Sequence, residues 1–184
     1  MADMLVKLYN VEDCPELEAS LKEQGIYVVK ALSPDKHKII KFIKETFTEG
    51  WASECEAAFA NNPHTIYIAV KDQQVIGFAA YDATAKGYFG PTGVNADFRK
   101  KGIGRLLMLK CFHSMRELGY GYAIIGWAAR SAIPFYEKFA GAKIIEDSHP
   151  GVYSRMTKVV SPAPKVEQAP ACENTQPAAD SGKN

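Results

Sequence analysis

Tyr88-Phe89-Gly90-Pro91-Thr92-Gly93-Val94-Asn95-Ala96-Asp97-Phe98-Arg99-Lys100-Lys101-Gly102-Ile103-Gly104-Arg105 decides how this chain is read. Tyr88 to Val94 predicts the core of a strand, and Asn95 to Gly104 a glycine-bearing turn. The helix that follows carries Ile103, Leu106, Leu107, Cys111, Met115 and Leu118 on one face, at i, i+3, i+4 spacing. Gly119 is placed to end it. Two glycines and four cations (Arg99, Lys100, Lys101, Arg105) thus sit where a helix starts after a strand. A helix start has unpaired N–H groups and a partial positive charge, and glycine lets a ligand approach that backbone closely. The combination predicts an anion cradle, most naturally for phosphate or pyrophosphate. The strand ahead of it is awkward: glycine weakens it and Pro91 donates no N–H, as suits a strand that bulges and splays from its neighbour.

Upstream of this stretch, Thr65–Val70 and Val75–Ala83 alternate across Lys71-Asp72-Gln73-Gln74 and predict an antiparallel hairpin, with Lys86–Val94 the next antiparallel strand. Before it, Met4–Tyr9 predicts a short strand, Pro15–Glu23 a helix closed by Gly25, and Ile26–Ala31 another strand. Ser33-Pro34-Asp35 is a helix start. Ile39, Ile40, Ile43 and Phe47 supply that helix's buried face and Gly50 its end. Trp51, Cys55, Ala58 and Phe59 predict a second helix, broken by Asn61-Asn62-Pro63. Downstream, Tyr122–Trp127 is a strongly apolar strand, parallel to its neighbour because a helix crosses between them. Ser131–Phe139 predicts a helix capped by Ser131. Ala142–Glu146 and Val152–Val159 predict a final hairpin across His149-Pro150-Gly151. From Ser161 to Asn184 prolines, alanines and polar residues replace any periodic pattern, which predicts a disordered tail. The expected organisation is an N-terminal strand–helix extension (1–25), one α/β domain (26–160) and the tail (161–184).

The 184 residues and 47% apolar content suit one globular domain. A net charge of +1 argues against a general nucleic-acid binder, so the cations at 99–105 belong to one local site. No run of apolar residues is long enough to span a membrane, and no signal peptide is visible. Cys14, Cys55, Cys111 and Cys172 form no CxxC pair and no cluster with histidine, which points to free thiols in a reducing cytoplasm and away from a metal.

Three phosphate-binding turns compete for 99–104. A P-loop requires GxxxxGK[ST], which is absent. A dinucleotide turn requires GxGxxG, and after Gly102-Ile103-Gly104 the third glycine is missing; the preceding hairpin also argues against an opening βαβ unit. Arg99-Lys100-Lys101-Gly102-Ile103-Gly104 resembles the third, the [RQ]xxGxG/A turn of the GNAT superfamily of acetyl-CoA-dependent N-acyltransferases. Ala132-Ile133-Pro134-Phe135-Tyr136-Glu137-Lys138-Phe139-Ala140-Gly141-Ala142 is similar to that family's later AxxFYEKxGF motif, with its last two residues altered. The order of elements from Ile26 to Val159 also agrees.

The resemblance implies a mixed central sheet of six to seven strands flanked by helices and splayed at the cofactor site. It implies that backbone N–H groups from Lys100, Lys101, Gly102, Ile103, Gly104 and Arg105, with Arg99 beside them, hold the pyrophosphate of acetyl-CoA. The pantetheine arm would enter the splay and pair with Thr92, Gly93 and Val94 like an added strand. A backbone N–H near Val94 is a candidate oxyanion donor. Tyr136 matches the family tyrosine that protonates the departing thiolate. Some members carry a catalytic Glu six residues before the position of Val94; here Tyr88 stands there. Glu54, beside the apolar face of Trp51, Cys55 and Ala58, is the candidate base, with Asp82 and His64 as other titratable groups. Trp51 and Trp127 could line the acceptor site. An Asn that many relatives carry three residues before the later motif is Ala129.

The expected activity is direct acetyl transfer from acetyl-CoA to an amine, borne by a small molecule or a peptide. The alternative is a non-catalytic acyl-CoA-binding or regulatory module on the same fold. The N-terminal extension is expected to pair with the sheet or with another subunit, the latter making a homodimer.

Overall fold

The computed structural model describes residues 1–157, of which Met1–Ser154 form one compact unit. Seven strands form one mixed sheet: β1 (Ala2–Lys7), β2 (Ile26–Lys30), β3 (Ile66–Lys71), β4 (Gln74–Tyr81), β5 (Tyr88–Val94), β6 (Tyr122–Ala128) and β7 (Lys143–Ile144). Five α-helices accompany them: α1 (Pro15–Glu23), α2 (Lys36–Thr46), α3 (Glu49–Ala60), α4 (Ile103–Glu117) and α5 (Ile133–Ala140). The spatial order is β2-β3-β4-β5-β6-β1-β7. Among the described residues only β5 and β6 pair in parallel, as the helical crossover between them demands.

The sheet is covered on both faces. Tyr67, Ala79, Tyr81 and Phe89 pack with the buried face of α4, including Leu107, Cys111, Phe112 and Met115. Ile66, Ile68, Phe78 and Ala80 pack with Ile39 and Ile43 of α2 and Cys55, Ala58 and Phe59 of α3. A strand covered on both faces reads as a continuous apolar run, which is why Ile76 to Tyr81 shows little alternation. Each fully buried large side chain of this set contributes ~1.5–3 kcal/mol.

Four local expectations give way to a different structure. Gly50 does not end α2: Phe47 leaves the helix with φ −126° and ψ −100°. Thr48 then caps α3, its Oγ1 accepting from the Trp51 N–H at 3.1 Å, so Gly50 lies inside α3. Ser131 does not cap α5, which starts at Ile133 after Ala132 with no side-chain cap. Leu118 is 53% exposed and lies past the end of α4, where Gly119, with φ +92°, turns the chain away.

The fourth is the final hairpin. Lys143–Ile144 is a strand, but its partner is β1, with Met4 opposite Ile144 and Leu5 opposite Lys143. Gly151–Arg155 winds into a 3-10 turn instead of a strand. The slot between β6 and β7 is taken by the N-terminal strand, antiparallel to both. Residues 158–159 of the expected strand and the tail from 161 to 184 lie outside the described residues.

Candidate active site

β5 leaves β6 almost as soon as it meets it. Only Tyr88–Ile124 and Phe89–Ile125 are paired, so Gly90–Val94 and Gly126–Ala128 diverge. A bulge on the β4 side, between the Ala79–Thr92 and Tyr81–Phe89 pairs, accommodates Gly90 at φ +124°. On that side the Asn95 N–H donates to the Ile76 carbonyl at 2.9 Å. Backbone groups alternate in direction along an antiparallel strand, so those of Thr92 and Val94 turn away from β4 and into the gap. The Val94 carbonyl already accepts from Arg99 Nε at 3.1 Å, which ties the turn to the strand end. A Cβ on Gly93 would lie 2.6 Å from Phe47 Cε1, so this glycine lets the aromatic group of Phe47, Trp51 and Phe78 close on the strand.

The gap ends at the start of α4. Lys100 (φ +64°) and Gly102 (φ +87°) are both left-handed, and Gly102 caps the helix without a side-chain acceptor. The first N–H groups of α4 are therefore free for an anion. A Cβ on Gly104 would meet only Val94 Cγ2, at 3.7 Å, so the surface above the first turn is open. A cavity of about 440 Å³ lies here, lined by Val94, Arg99, Lys100, Gly102, Ile103, Gly104 and Arg105 together with Leu17, Phe98, Phe135 and Phe139. Arg105 stacks on Phe139, its Cζ 4.8 Å from the ring centroid, and among the described residues its buried Nε has no partner. Lys101 Nζ lies 5.7 Å from the Phe98 ring centroid.

The two faces of the sheet bring different chemistry to this gap. On the α4 side, Tyr136 of α5 is buried against Phe89, ring centroids 6.3 Å apart, and burial pushes its phenol up to about 12. On the other side Glu54 of α3 is half-buried and accepts a hydrogen bond from Thr84 Oγ1. Burial raises its carboxyl above the usual range, and the Thr84 bond opposes that shift.

The other titratable candidates are tied into the fold. Asp82 is buried, accepting from the Gly87 N–H (2.7 Å), Tyr120 Oη (2.9 Å) and Lys86 Nζ (3.3 Å). His64 is held between Ser33 Oγ (2.6 Å) and the Asn61 carbonyl (3.1 Å). Trp51 packs on Phe47 and Phe78, while Trp127 stacks on Tyr153 with centroids 4.1 Å apart.

Sequence reading passed over four residues here. Asp3 of β1, 4% exposed, accepts from the Trp127 N–H at 2.9 Å and from Tyr88 Oη at 3.2 Å. Tyr153 stands between Glu54 and Asp3; burial first, then the charges of both carboxylates, push its phenol up to about 12 against an opposing Thr84 hydrogen bond. Thr84 is thus the hydroxyl that touches Glu54. Gly126 leaves room for these rings: a Cβ there would collide with the Tyr153 hydroxyl and lie 2.9 Å from Tyr88 Cδ1. A charged residue and a glycine inside apolar strands were the available signals.

Among the described residues no group of three or more His, Cys, Asp or Glu is placed to hold a metal, and no helix is long and apolar enough to cross a membrane.

Residues 36–142 match the model of the Acetyltransferase (GNAT) family. The fold resembles the GCN5-related glucosamine N-acetyltransferase region of a fungal multi-domain GH3 β-N-acetylglucosaminidase, with TM-score 0.63 and 14% identity over 78% of this chain and 19% of that one. It also resembles a GCN5-related N-acetyltransferase from Sphaerobacter thermophilus, with TM-score 0.60 and 20% identity over 78% of this chain and 48% of that one. A GNAT family acetyltransferase from Brucella melitensis, solved in complex with acetyl-CoA, aligns with TM-score 0.49 and 18% identity over 65% of this chain and 86% of that one. The chain thus spans less than half the length of the first two. No curated protein matches it.

Proposed function

The chain belongs to the GNAT acetyltransferase family, and we propose that it is an N-acetyltransferase that moves an acetyl group from acetyl-CoA directly to an amine. One observation carries this reading: the gap between β5 and β6 runs into the uncapped start of α4, where Gly104 leaves the surface open. A thioester arm and a pyrophosphate need those two features side by side. The pyrophosphate takes the N–H groups of Lys100 to Arg105, and the arm takes the backbone of Thr92 and Val94 beside Gly93. An anion at a helix start gains roughly 0.3–1 kcal/mol, more when partly buried, and the Arg99, Lys100, Lys101 and Arg105 charges add attraction. The Val94 N–H, turned into the gap, is the oxyanion donor.

The acceptor approaches from the α3 side, where Glu54 receives a proton from the incoming ammonium. A carboxyl held above its usual range is a better match to that task than an exposed one. On the opposite side Tyr136 protonates the leaving thiolate. Transfer from a phenol near 12 to a thiolate of conjugate pKa about 8.5 is uphill by roughly 5 kcal/mol. Sulfur is most basic once the C–S bond has broken, so the proton passes to the free thiolate. A covalent intermediate on cysteine is disfavoured: Cys55 and Cys111 are buried, and burial raises both thiols well above their usual range. Free thiols in Cys14, Cys55 and Cys111 suit the reducing cytoplasm.

Calorimetry with acetyl-CoA on the wild type and Gly104→Val tests the cradle: the wild type binds and the variant loses affinity, whereas equal affinity overturns it. The Tyr at position 88, in place of a strand carboxylate, favours the second reading, a module that binds acyl-CoA without turnover. Acetyl-CoA binding without amine-dependent thiol release would select it.

A further inference from the structure

An acceptor that arrives as an ammonium must lose two protons before its nitrogen becomes an amide, and Glu54 accounts for one. We propose that Asp3, acting through the Tyr88 hydroxyl, receives the other, so that the N-terminal strand supplies the carboxylate that β5 lacks. This rests on the acetyltransferase reading and adds Tyr88 as a catalytic residue, with Asp3 as the residue that positions and drains it.

The placement is specific. The register of β1 against β6 shifts between Ala2 and Met4, which takes Asp3 out of the ladder. Its Oδ1 is fixed by the Trp127 N–H at 2.9 Å, and its own N–H donates to Ser148 Oγ at 2.8 Å. Oδ2 is left for Tyr88 Oη at 3.2 Å. Trp127 adopts φ +45° in making this arrangement, a backbone strain that concentrates at functional sites. Tyr88 is paired with Ile124, two residues before β5 leaves β6 at Gly90, and it is only partly buried. Since its proton is donated to Asp3, its oxygen lone pairs are left to accept from an amine in the gap. The groups facing the pair are Trp127 of β6, Ser148 and Gly151 of the segment after β7, and Tyr153, with Glu54 of α3 beyond it. The His149 ring lies against Trp127 as well, centroids 5.7 Å apart.

In the proposed step the amine nitrogen attacks the thioester carbon. As the C–N bond forms, the nitrogen's proton passes to Tyr88 Oη and the Tyr88 proton passes to Asp3 Oδ2. The C–S electron pair leaves on sulfur, which takes the Tyr136 proton. Glu54 then releases the first proton to solvent, Asp3 returns the second through Tyr88 to solvent, and Tyr136 is reprotonated from solvent. The products are the amide and the free CoA thiol, with one net proton released per ammonium consumed.

The test is thiol release by the full chain with a panel of primary amines, followed from about pH 6 to about pH 10, below the roughly 10.4 of an alkylammonium. Tyr88→Phe keeps the ring that packs on Gly126 and removes only the hydroxyl. It is expected to lower kcat by on the order of 10²-fold with a deficit that does not change with pH. Asp3→Asn is expected to match it, and the double variant to be no worse than either single one, because one relay is lost only once. The Glu54→Gln deficit should instead shrink as pH rises and the amine arrives neutral. Acetyl-CoA affinity by calorimetry should be unchanged in Tyr88→Phe. A Tyr88→Phe variant that turns over like the wild type, or single deficits that multiply in the double variant, overturns the relay. If Asp3→Asn lowers thermal stability, the Tyr88→Phe rate and pH profile still decide. A wild type that binds acetyl-CoA but releases no thiol with any amine overturns the acetyltransferase reading itself.

Discussion

Gly102 and Gly104 look interchangeable in sequence and are not. Gly102 has φ +87°, and a Cβ there would lie 2.6 Å from Leu17 Cδ1. Gly102→Ala is therefore expected to cost about 1–2 kcal/mol, measured by urea denaturation. Adding Leu17→Ala should relieve the contact but not the backbone strain. Gly104 has ordinary helical geometry and only Val94 nearby, so Gly104→Val should keep stability within about 0.5 kcal/mol while weakening acetyl-CoA at least about tenfold, or 1.4 kcal/mol. Tyr136→Phe should lower kcat by on the order of 10²-fold and leave acetyl-CoA affinity unchanged, since the ring keeps its packing on Phe89 and only the proton donor is lost. The turn was legible because its chemistry is local: glycines, cations and a helix start lie within one short stretch. Asp3 was not legible, because its partners Tyr88 and Trp127 are far along the chain and nothing in a short N-terminal strand announces which way its one carboxylate turns.

At the scale of elements, strands and helices could be read where one face is buried and one is wet. The elements went astray at ends, where a few residues decide. Thr48 outcompeted Gly50 because a side-chain acceptor satisfies the N–H groups of α3. The last strand was misread because β1 already fills the slot beside β6, and sequence order says nothing about which strand arrives there. Met4, fully buried with β1 between β6 and β7, offers a check. Met4→Ala is expected to cost about 2–5 kcal/mol by chemical denaturation, whereas a peripheral extension would tolerate it. Helix α1 is held to α4 by Glu18, 2.7 Å from Lys110 and 3.0 Å from Lys22. Lys110 first, then Lys22, holds the Glu18 carboxyl below its usual range. A lowered folded pKa means the pair stabilises above the unfolded value, about 4.3, and that this is lost as pH falls through the folded value. Solvent screens the pair, so Glu18→Gln should cost roughly 0–1 kcal/mol at neutral pH and nothing once both states are protonated.

For the whole molecule, the proposed function divides the chemistry between the two faces of one sheet. The α4 side carries the cradle, the cavity and Tyr136; the α3 side carries Glu54, Thr84 and Tyr153; the parting of β5 from β6 connects them. A nucleophile adds to one face of a planar thioester carbonyl, and in the proposed reaction the base that serves the amine and the acid that serves the sulfur come from different faces of the sheet. In the proposed reaction the acid at Tyr136 and the acceptors at Glu54 and Tyr88 are thereby kept apart. Steady-state release of CoA thiol from acetyl-CoA, with and without primary amines, tests this division most directly. Release is expected to depend on the amine, to saturate with it and to yield the acetylated amine in equal amount. Acetyl-CoA binding with no amine-dependent release would contradict it.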